Sequence, residues 1–264
     1  MKLAELVSRL EITESFMGGI SMEDDVVSIS EDSRHCTENG MFIAVDGAMA
    51  NGNDYNAMAV KNGAKVIVSS MKLAECKQRL NTEVPELADK TTILCVKDSR
   101  RAVAGLAAEF YGNPSTRLKL IGVTGTNGKT SIATTLYQLF TELGYSCGLI
   151  STIANYVGTR KYPAVNTTPG PVELNSLLNE MCDSGCEYCF MEVSSHALHQ
   201  KRTDGLHFTG AIFTNLTHDH LDYHKTFANY LACKKMLFDS LDAESWALIN
   251  EDDRNGRVMV QNCK

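Results

Sequence analysis

Leu118-Lys-Leu-Ile-Gly-Val123 runs directly into Thr124-Gly-Thr-Asn-Gly-Lys-Thr-Ser131 and then into Ile132-Ala-Thr-Thr-Leu136. A strand-like apolar run, a glycine-rich turn ending in Lys-Thr and a helix-like stretch, in that order, have the sequence form of a phosphate-binding loop. Gly125 and Gly128 have no Cβ, so the backbone can turn tightly and come close to an anion. The N–H groups that open the following helix, at the positive end of its dipole, then face the phosphates. Gly125, Thr126, Asn127, Gly128, Lys129, Thr130 and Ser131 form the expected nucleotide-binding set. In it Lys129 is a point charge for the β- and γ-phosphates, and the Thr130 hydroxyl is placed to ligate the accompanying Mg²⁺. The pattern GxxxxGK[ST] has glycine where this chain has Val123, and glycines at 122, 125 and 128 do not fit the dinucleotide spacing GxGxxG. The loop predicts a protein that handles a nucleoside triphosphate.

Outward from the loop, strands and helices alternate. Strand-like runs fall at 146–150, 187–193, 209–214 and 246–250, with helical patterns after Pro171 and over 226–241. Such alternation predicts a mainly parallel sheet covered by helices, with ligands at the strand C-termini. Before the loop, strand-like runs at 25–30, 40–45, 64–68 and 92–96 and helical patterns at the N-terminus and over 55–62 predict a smaller α/β unit. The expected fold class is α/β: a small N-terminal domain at 1–97, then a phosphate-loop domain with a mainly parallel sheet at 98–264. A helix from Asp98-Ser99 to Tyr111 opens the second domain in this reading. Because the chain stops at Lys264 soon after a strand, that sheet is expected to be unfinished and to leave an apolar face uncovered.

Composition narrows the function. The net charge of −7 and the lack of a long basic run make nucleic acid a poor partner. No apolar stretch nears the ~18 residues needed to span a bilayer, and Glu5 and Arg9 interrupt any secretory core at the N-terminus. A soluble, cytoplasmic protein is expected. Nine scattered cysteines without a disulfide framework suit a reducing compartment. Cys182, Cys186 and Cys189 have the C-x3-C-x2-C spacing of an iron–sulfur site. However, Cys182 closes a helical pattern, Gly185 marks a turn, and Cys186 and Cys189 would point to opposite faces of a strand. Core thiols are the expectation.

Three further segments carry chemistry. Glu192, in Met191-Glu-Val-Ser-Ser-His196, ends an apolar strand where a carboxylate can ligate Mg²⁺ opposite Thr130. His218, Asp219, His220, Asp222 and His224 crowd together after the next strand. The three histidines leave zinc open, but a phosphate loop makes Mg²⁺ the more coherent metal. In the helix over 226–241 the apolar stripe Phe227, Tyr230, Leu231, Leu237, Phe238 and Leu241 has Lys234 at its middle, at about 100° per residue. A bare ammonium there is costly unless paired, metal-associated or chemically altered; snorkelling to the surface is the alternative.

With these residues in hand, the chain resembles the Mur ligases of peptidoglycan synthesis, and among them the branch that adds a diamino acid. The phosphate loop TGTNGKT is similar to that of the whole family, including its folylpolyglutamate relatives. The segments Asn166-Thr-Thr-Pro-Gly170, Met191-Glu-Val-Ser-Ser-His-Ala-Leu198 and Phe213-Thr-Asn-Leu-Thr-His-Asp-His-Leu-Asp-Tyr-His224 resemble the one branch. The resemblance implies an amide-forming ligase that uses ATP and Mg²⁺, with UDP-muramoyl dipeptide and a diamino acid as substrates and a monomeric state. It implies that Lys129, Glu192, His220 and Lys234 are catalytic, that Thr130, Glu192, His220 and Lys234 serve the metals, and that Lys234 is carboxylated on Nζ. It assigns Asn166, Thr167, Thr168, Ser194, Gln200 and Arg202 to the muramoyl dipeptide. Ser33 and the loop Ala48, Met49 and Ala50 fall to the uridine side, although that loop is less polar than in relatives. A folylpolyglutamate synthase-like ligase and a non-catalytic ATP-binding module are the alternatives. Nothing in the chain corresponds to the C-terminal domain in which the family chooses its diamino acid.

Overall fold

A computed structural model describes residues 1–47 and 50–263, which form two compact units, Met1–Phe110 and Tyr111–Lys264. The first contains α1 (Leu3–Leu6), β1 (Ile12–Phe16), β2 (Ile29–Ser30), β3 (Gly40–Ile43), α2 (Asn56–Lys61), β4 (Ala64–Ser69), α3 (Leu73–Glu83), α4 (Pro85–Ala88), β5 (Thr92–Val96) and α5 (Ser99–Phe110). Its sheet has the order β1-β5-β4-β3-β2, parallel except where β1 runs antiparallel along β5. β3 and β5 are buried at every residue, as strands covered on both faces must be.

Two differences from the sequence expectation have physical causes. The amphipathic N-terminus forms only the single turn α1, which buries Leu3 and Leu6. Helix α5 groups with the first unit, whereas the sequence reading placed it with the second. It buries Ala102, Val103, Leu106 and Ala107. Ser99 Oγ donates to Asp46 Oδ2 at 3.3 Å, and Arg100 Nε and Nη2 donate to the Asp46 carbonyl at 2.9 and 2.7 Å.

The second unit contains β6 (Lys119–Thr124), α6 (Lys129–Glu142), β7 (Cys147–Ile150), β8 (Ala154–Val157), β9 (Arg160–Pro163), α7 (Pro171–Asp183), β10 (Tyr188–Glu192), α8 (Ser195–His199), β11 (Gly210–Phe213), α9 (Leu221–His224), α10 (Phe227–Asp239), β12 (Trp246–Ile249) and α11 (Gly256–Met259). Its sheet order is β12-β11-β6-β10-β7-β8-β9. The strands from β12 to β7 are parallel, and β8 and β9 extend the sheet as an antiparallel hairpin. Alternate residues face opposite layers. Leu120, Met191 and Phe213 pack with Leu178 and Met181 of α7 and Leu237 and Phe238 of α10. Ile121, Phe190 and Ile212 pack with Leu136 and Phe140 of α6.

The α6 layer does not reach the β12 edge. There a groove of about 450 Å³ is lined by Ile121, Phe140, Phe190, Ile212, Trp246 and Leu248. Trp246 and Leu248 are 44% and 56% exposed. The indole lies over Gly210, its register partner, where a Cβ would collide with the ring. Cys186 and Cys189 are buried, and the half-buried Cys182 thiol donates to the Pro114 carbonyl at 3.4 Å.

Candidate functional site

Strand register assembles the site. Glu192 lies beside Val123, Phe213 beside Thr124 and Ile150 beside Met191, so β6, β10, β11 and β7 end at one level. The loops that leave them converge at the C-terminal edge of the sheet, where parallel α/β folds bind ligands.

The phosphate loop is held open from behind. Gly125 has φ +151°, and a Cβ there would strike Thr214 Oγ1. Thr214 Oγ1 instead donates to the Asn127 carbonyl at 2.6 Å, which also accepts from Asn215 Nδ2 at 3.1 Å. Asn215 Oδ1 accepts the Asn127 N–H at 3.0 Å, and the Asn215 carbonyl accepts the Thr126 N–H at 2.8 Å. Gly128, at φ +85°, starts α6 with no side-chain cap, so the first-turn N–H groups are left for a ligand. Ser131 is exposed on the first turn of α6.

Two lysines meet at this loop. Lys129 Nζ donates to the carbonyls of Gly125 and Thr126 at 2.9 Å each, and Lys234 Nζ donates to the same Gly125 carbonyl at 2.7 Å. Lys234 is 1% exposed and lies 4.6 Å from the Tyr230 ring centroid, so it does not snorkel. Burial pushes its ammonium down to about 7, and the neighbouring Lys129 charge lowers it further. Burial also lowers Lys129 from the usual lysine value. Two cations sharing one carbonyl form a site that favours an anion.

Glu192, 1% exposed, joins the loop to the next part of the site. Thr130 Oγ1 donates to its Oε2 at 2.9 Å. A buried carboxylate and a hydroxyl in contact are hard oxygen donors that suit Mg²⁺. Thr168 Oγ1 donates to the Glu192 carbonyl at 2.8 Å and accepts the Ser194 N–H at 3.1 Å. Ser194 Oγ caps α8 by accepting from the Ala197 N–H at 3.1 Å. Arg202 Nη1 donates to the Thr168 carbonyl at 2.7 Å, while Nε and Nη2 grip Gln200 Oε1 at 3.0 and 2.7 Å. Asn166 is exposed on the loop that carries Thr167.

His220, at φ +51°, packs its ring 5.0 Å from His196 and 6.2 Å from Tyr230. No hydrogen bond joins it to Glu192 among the described residues. Of the three histidines after β11, His220 and His224 share His196 and Tyr230 as neighbours, with His224 Nε2 bonded to Ser195 Oγ at 2.9 Å, whereas His218 packs apart on Phe227. Burial, with His196, His199, Lys234 and His220 close by, pushes His224 down to about 4 from its ordinary 6.5. Between those values the unfolded chain holds more protons than the folded one, so stability falls as pH falls through that window. Urea midpoints of the metal-free protein are expected to decline from pH 6.5 towards 4, and His224→Gln should flatten the decline. An equal decline in the variant would show that other groups cause it.

In the first unit the Ser33 hydroxyl turns inward and donates to Met58 Sδ at 3.3 Å. Ala50 is exposed next to Asn51, which bridges to Asp46. Ala48 and Met49 lie outside the described residues. Within the second unit the structure brings together Gly125, Lys129, Thr130, Glu192, Thr168, Ser194 and Lys234, and links Gln200 and Arg202 to them through the Thr168 carbonyl. Sequence reasoning missed Thr152, Thr214 and Asn215. The last two stand in the motif after β11 and were visible there as strand-end polar residues. Thr152 had no such signal.

A family model described as Mur ligase middle domain matches residues 123–264, and one described as Mur ligase family, catalytic domain matches 25–111. The chain is 46% identical over 264 residues to the UDP-N-acetylmuramoyl-L-alanyl-D-glutamate–2,6-diaminopimelate ligase of Phocaeicola vulgatus, covering 100% of this chain and 52% of that protein. It is 47% identical over 265 residues to the ligase of the same name from Bacteroides fragilis, again covering 100% and 52%. A solved structure of a ligase of that name aligns with TM-score 0.77 and 25% identity over 99% of this chain and 49% of that one. MurF from Acinetobacter baumannii, at 17% identity and TM-score 0.69 over 100% and 52%, shares the fold. The chain spans about half the length of the curated relatives it matches. A glycine loop strapped by Thr214 and Asn215, a buried Glu192 on Thr130 and a buried Lys234 thus accompany matches that run through both units, and the chain belongs to the Mur ligase family.

Proposed function

We propose that this chain is part of an ATP-dependent ligase that joins a diamino acid, meso-diaminopimelate or L-lysine, to UDP-N-acetylmuramoyl-L-alanyl-D-glutamate in cytoplasmic peptidoglycan synthesis. The observation that carries the reading is the pair Lys129 and Lys234 on the Gly125 carbonyl, beside a buried Glu192 hydrogen-bonded to Thr130. The second unit holds ATP on Gly125 to Ser131 and the muramoyl peptide on Asn166, Thr167, Thr168, Ser194, Gln200 and Arg202. The first unit holds the uridine side through Ser33 and the loop Ala48 to Ala50. The protein acts as a monomer.

The reaction transfers the γ-phosphoryl group of ATP to the D-glutamyl carboxylate, giving ADP and an acyl phosphate. The amine of the diamino acid then attacks the acyl carbon and expels phosphate. Lys129 and the α6 N–H groups neutralise charge on the phosphoryl oxygens, and the threonine and arginine side chains orient the carboxylate. Thr130 and Glu192 are the residues that would hold Mg²⁺, which supplies further charge neutralisation when bound. His220 and Lys234 would serve a second metal. Lys234, with its proton affinity lowered to about 7, is partly an amine at neutral pH and open to CO₂. The lone pair of the neutral amine forms an N–C bond as a C=O π pair of CO₂ moves onto oxygen, and one proton leaves the nitrogen, so the amine becomes a carbamate anion.

Phosphate release by the longer protein, measured with and without UDP-muramoyl dipeptide and each diamino acid, tests the reading. Release that requires both substrates is expected. Release driven by a folate substrate, or ATP binding with no substrate-dependent turnover, would overturn it.

A further inference from the structure

Thr152 stands between the nucleotide side of the site and the peptide side. It follows β7, whose last residue Ile150 is held beside Met191 of β10. Its N–H donates to Glu192 Oε1 at 2.8 Å. Its Oγ1 lies 3.3 Å from Glu192 Oε2 and 3.0 Å from Thr167 Oγ1. Oε2 is also the oxygen that receives the Thr130 hydroxyl at 2.9 Å.

A threonine hydroxyl has one proton and two lone pairs. Thr152 therefore gives its proton either to Glu192 or to Thr167. In the first arrangement its oxygen is free to accept the Thr167 proton, which ties up Thr167. In the second arrangement the Thr167 oxygen accepts, and the Thr167 proton is free for another ligand. A cation drawn to Thr130 and Glu192 competes for the lone pairs of Oε2 and so favours the second arrangement.

We propose that Thr152 is a positioning residue that couples the two sides by reversing the donor direction of its hydrogen bond with Thr167. Occupation of Glu192 by a divalent cation and nucleotide releases the Thr167 proton to an acceptor oxygen of the peptide substrate. Binding of that oxygen to Thr167 favours the cation in return, because linkage is reciprocal. The inference rests on the proposed function for the identity of the peptide ligand. The backbone N–H of Thr152 fixes Oε1 whatever its side chain, so the hydroxyl alone carries the coupling.

Calorimetry on the longer ligase tests it, with ADP and Mg²⁺ as one probe and UDP-muramoyl dipeptide as the other. In the unaltered protein each probe should tighten the other by about 5-fold or more, the lower range of measured couplings. Thr152→Val keeps the branched shape and the N–H, and Thr152 is exposed, so the fold should tolerate it. That variant should bind each probe alone and show no tightening, while Thr152→Ser should restore the effect. Full coupling in the valine variant, or its loss in the serine variant as well, overturns the inference. Failure of the unaltered protein to bind the dipeptide overturns the proposed function with it, whereas dipeptide binding without Thr152-dependent coupling overturns this inference alone.

Discussion

Replacing Lys234 with alanine is expected to abolish amide formation by the longer ligase. Lys234 is buried on the stripe of α10, donates to the Gly125 carbonyl and has its ammonium pushed down to about 7. Its place suits an anion made from the amine, and alanine can make none. Loss of one preorganised charged group at a phosphoryl-transfer centre costs about 10²–10³-fold in turnover, and loss of a support for the metal adds to that. Short carboxylic acids added to the Lys234→Ala protein should restore part of the rate by placing a carboxylate in the vacated space. ADP release, measured with and without acetate, is the readout. Full activity in the alanine variant would remove Lys234 from the mechanism.

Lys129→Ala is expected to weaken Mg·ATP binding by the present chain by about 1.5–3 kcal/mol, the range for a hydrogen bond to a charged group. The Lys129 side chain curls back onto the loop, with both its contacts on carbonyls at 2.9 Å, so its charge already sits over the turn. Ser131→Ala provides the contrast. Ser131 is exposed on the first turn of α6 and would face ATP through its backbone N–H, which alanine keeps, so the change should stay within about 0.5 kcal/mol. Calorimetric titration separates the two. Equal affinities in the Lys129→Ala and unaltered proteins would mean that the nucleotide sits elsewhere.

The phosphate loop was legible because its chemistry is local: strand, glycines, lysine and helix occupy one stretch of chain. The place of Lys234 on the stripe of Tyr230, Leu237 and Phe238 was legible from period, but period left snorkelling open, and the burial shows only in the fold. Elements without an apolar pattern escaped. β1 is an edge strand whose middle residues are exposed, and helix α3 buries only Cys76 and Leu80 among polar neighbours. The hairpin of β8 and β9 has an exposed second strand and likewise left no alternation to read.

Helix α5 shows a different limit. Its residues were recognised as a helix, but its attachment to the first unit depends on Asp46, far away in sequence. Thr152 shows the same limit within the site. A threonine after a short strand carries no motif, and its position on Glu192 arises only from the register between β7 and β10. The Ser33 hydroxyl, assigned to the uridine side by resemblance, is engaged with Met58, a contact that no spacing in the chain foretells.

Trp246 at the margin of the β12 groove is the chain's only tryptophan. Its indole rests on Gly210 with one side open to water. Intrinsic emission excited at the indole band therefore has a single origin, and its wavelength reports the polarity at one sheet edge. Whatever covers that edge would exclude water from the ring and shift the emission to the blue. The uncovered face thus gives the protein an optical probe that needs no label.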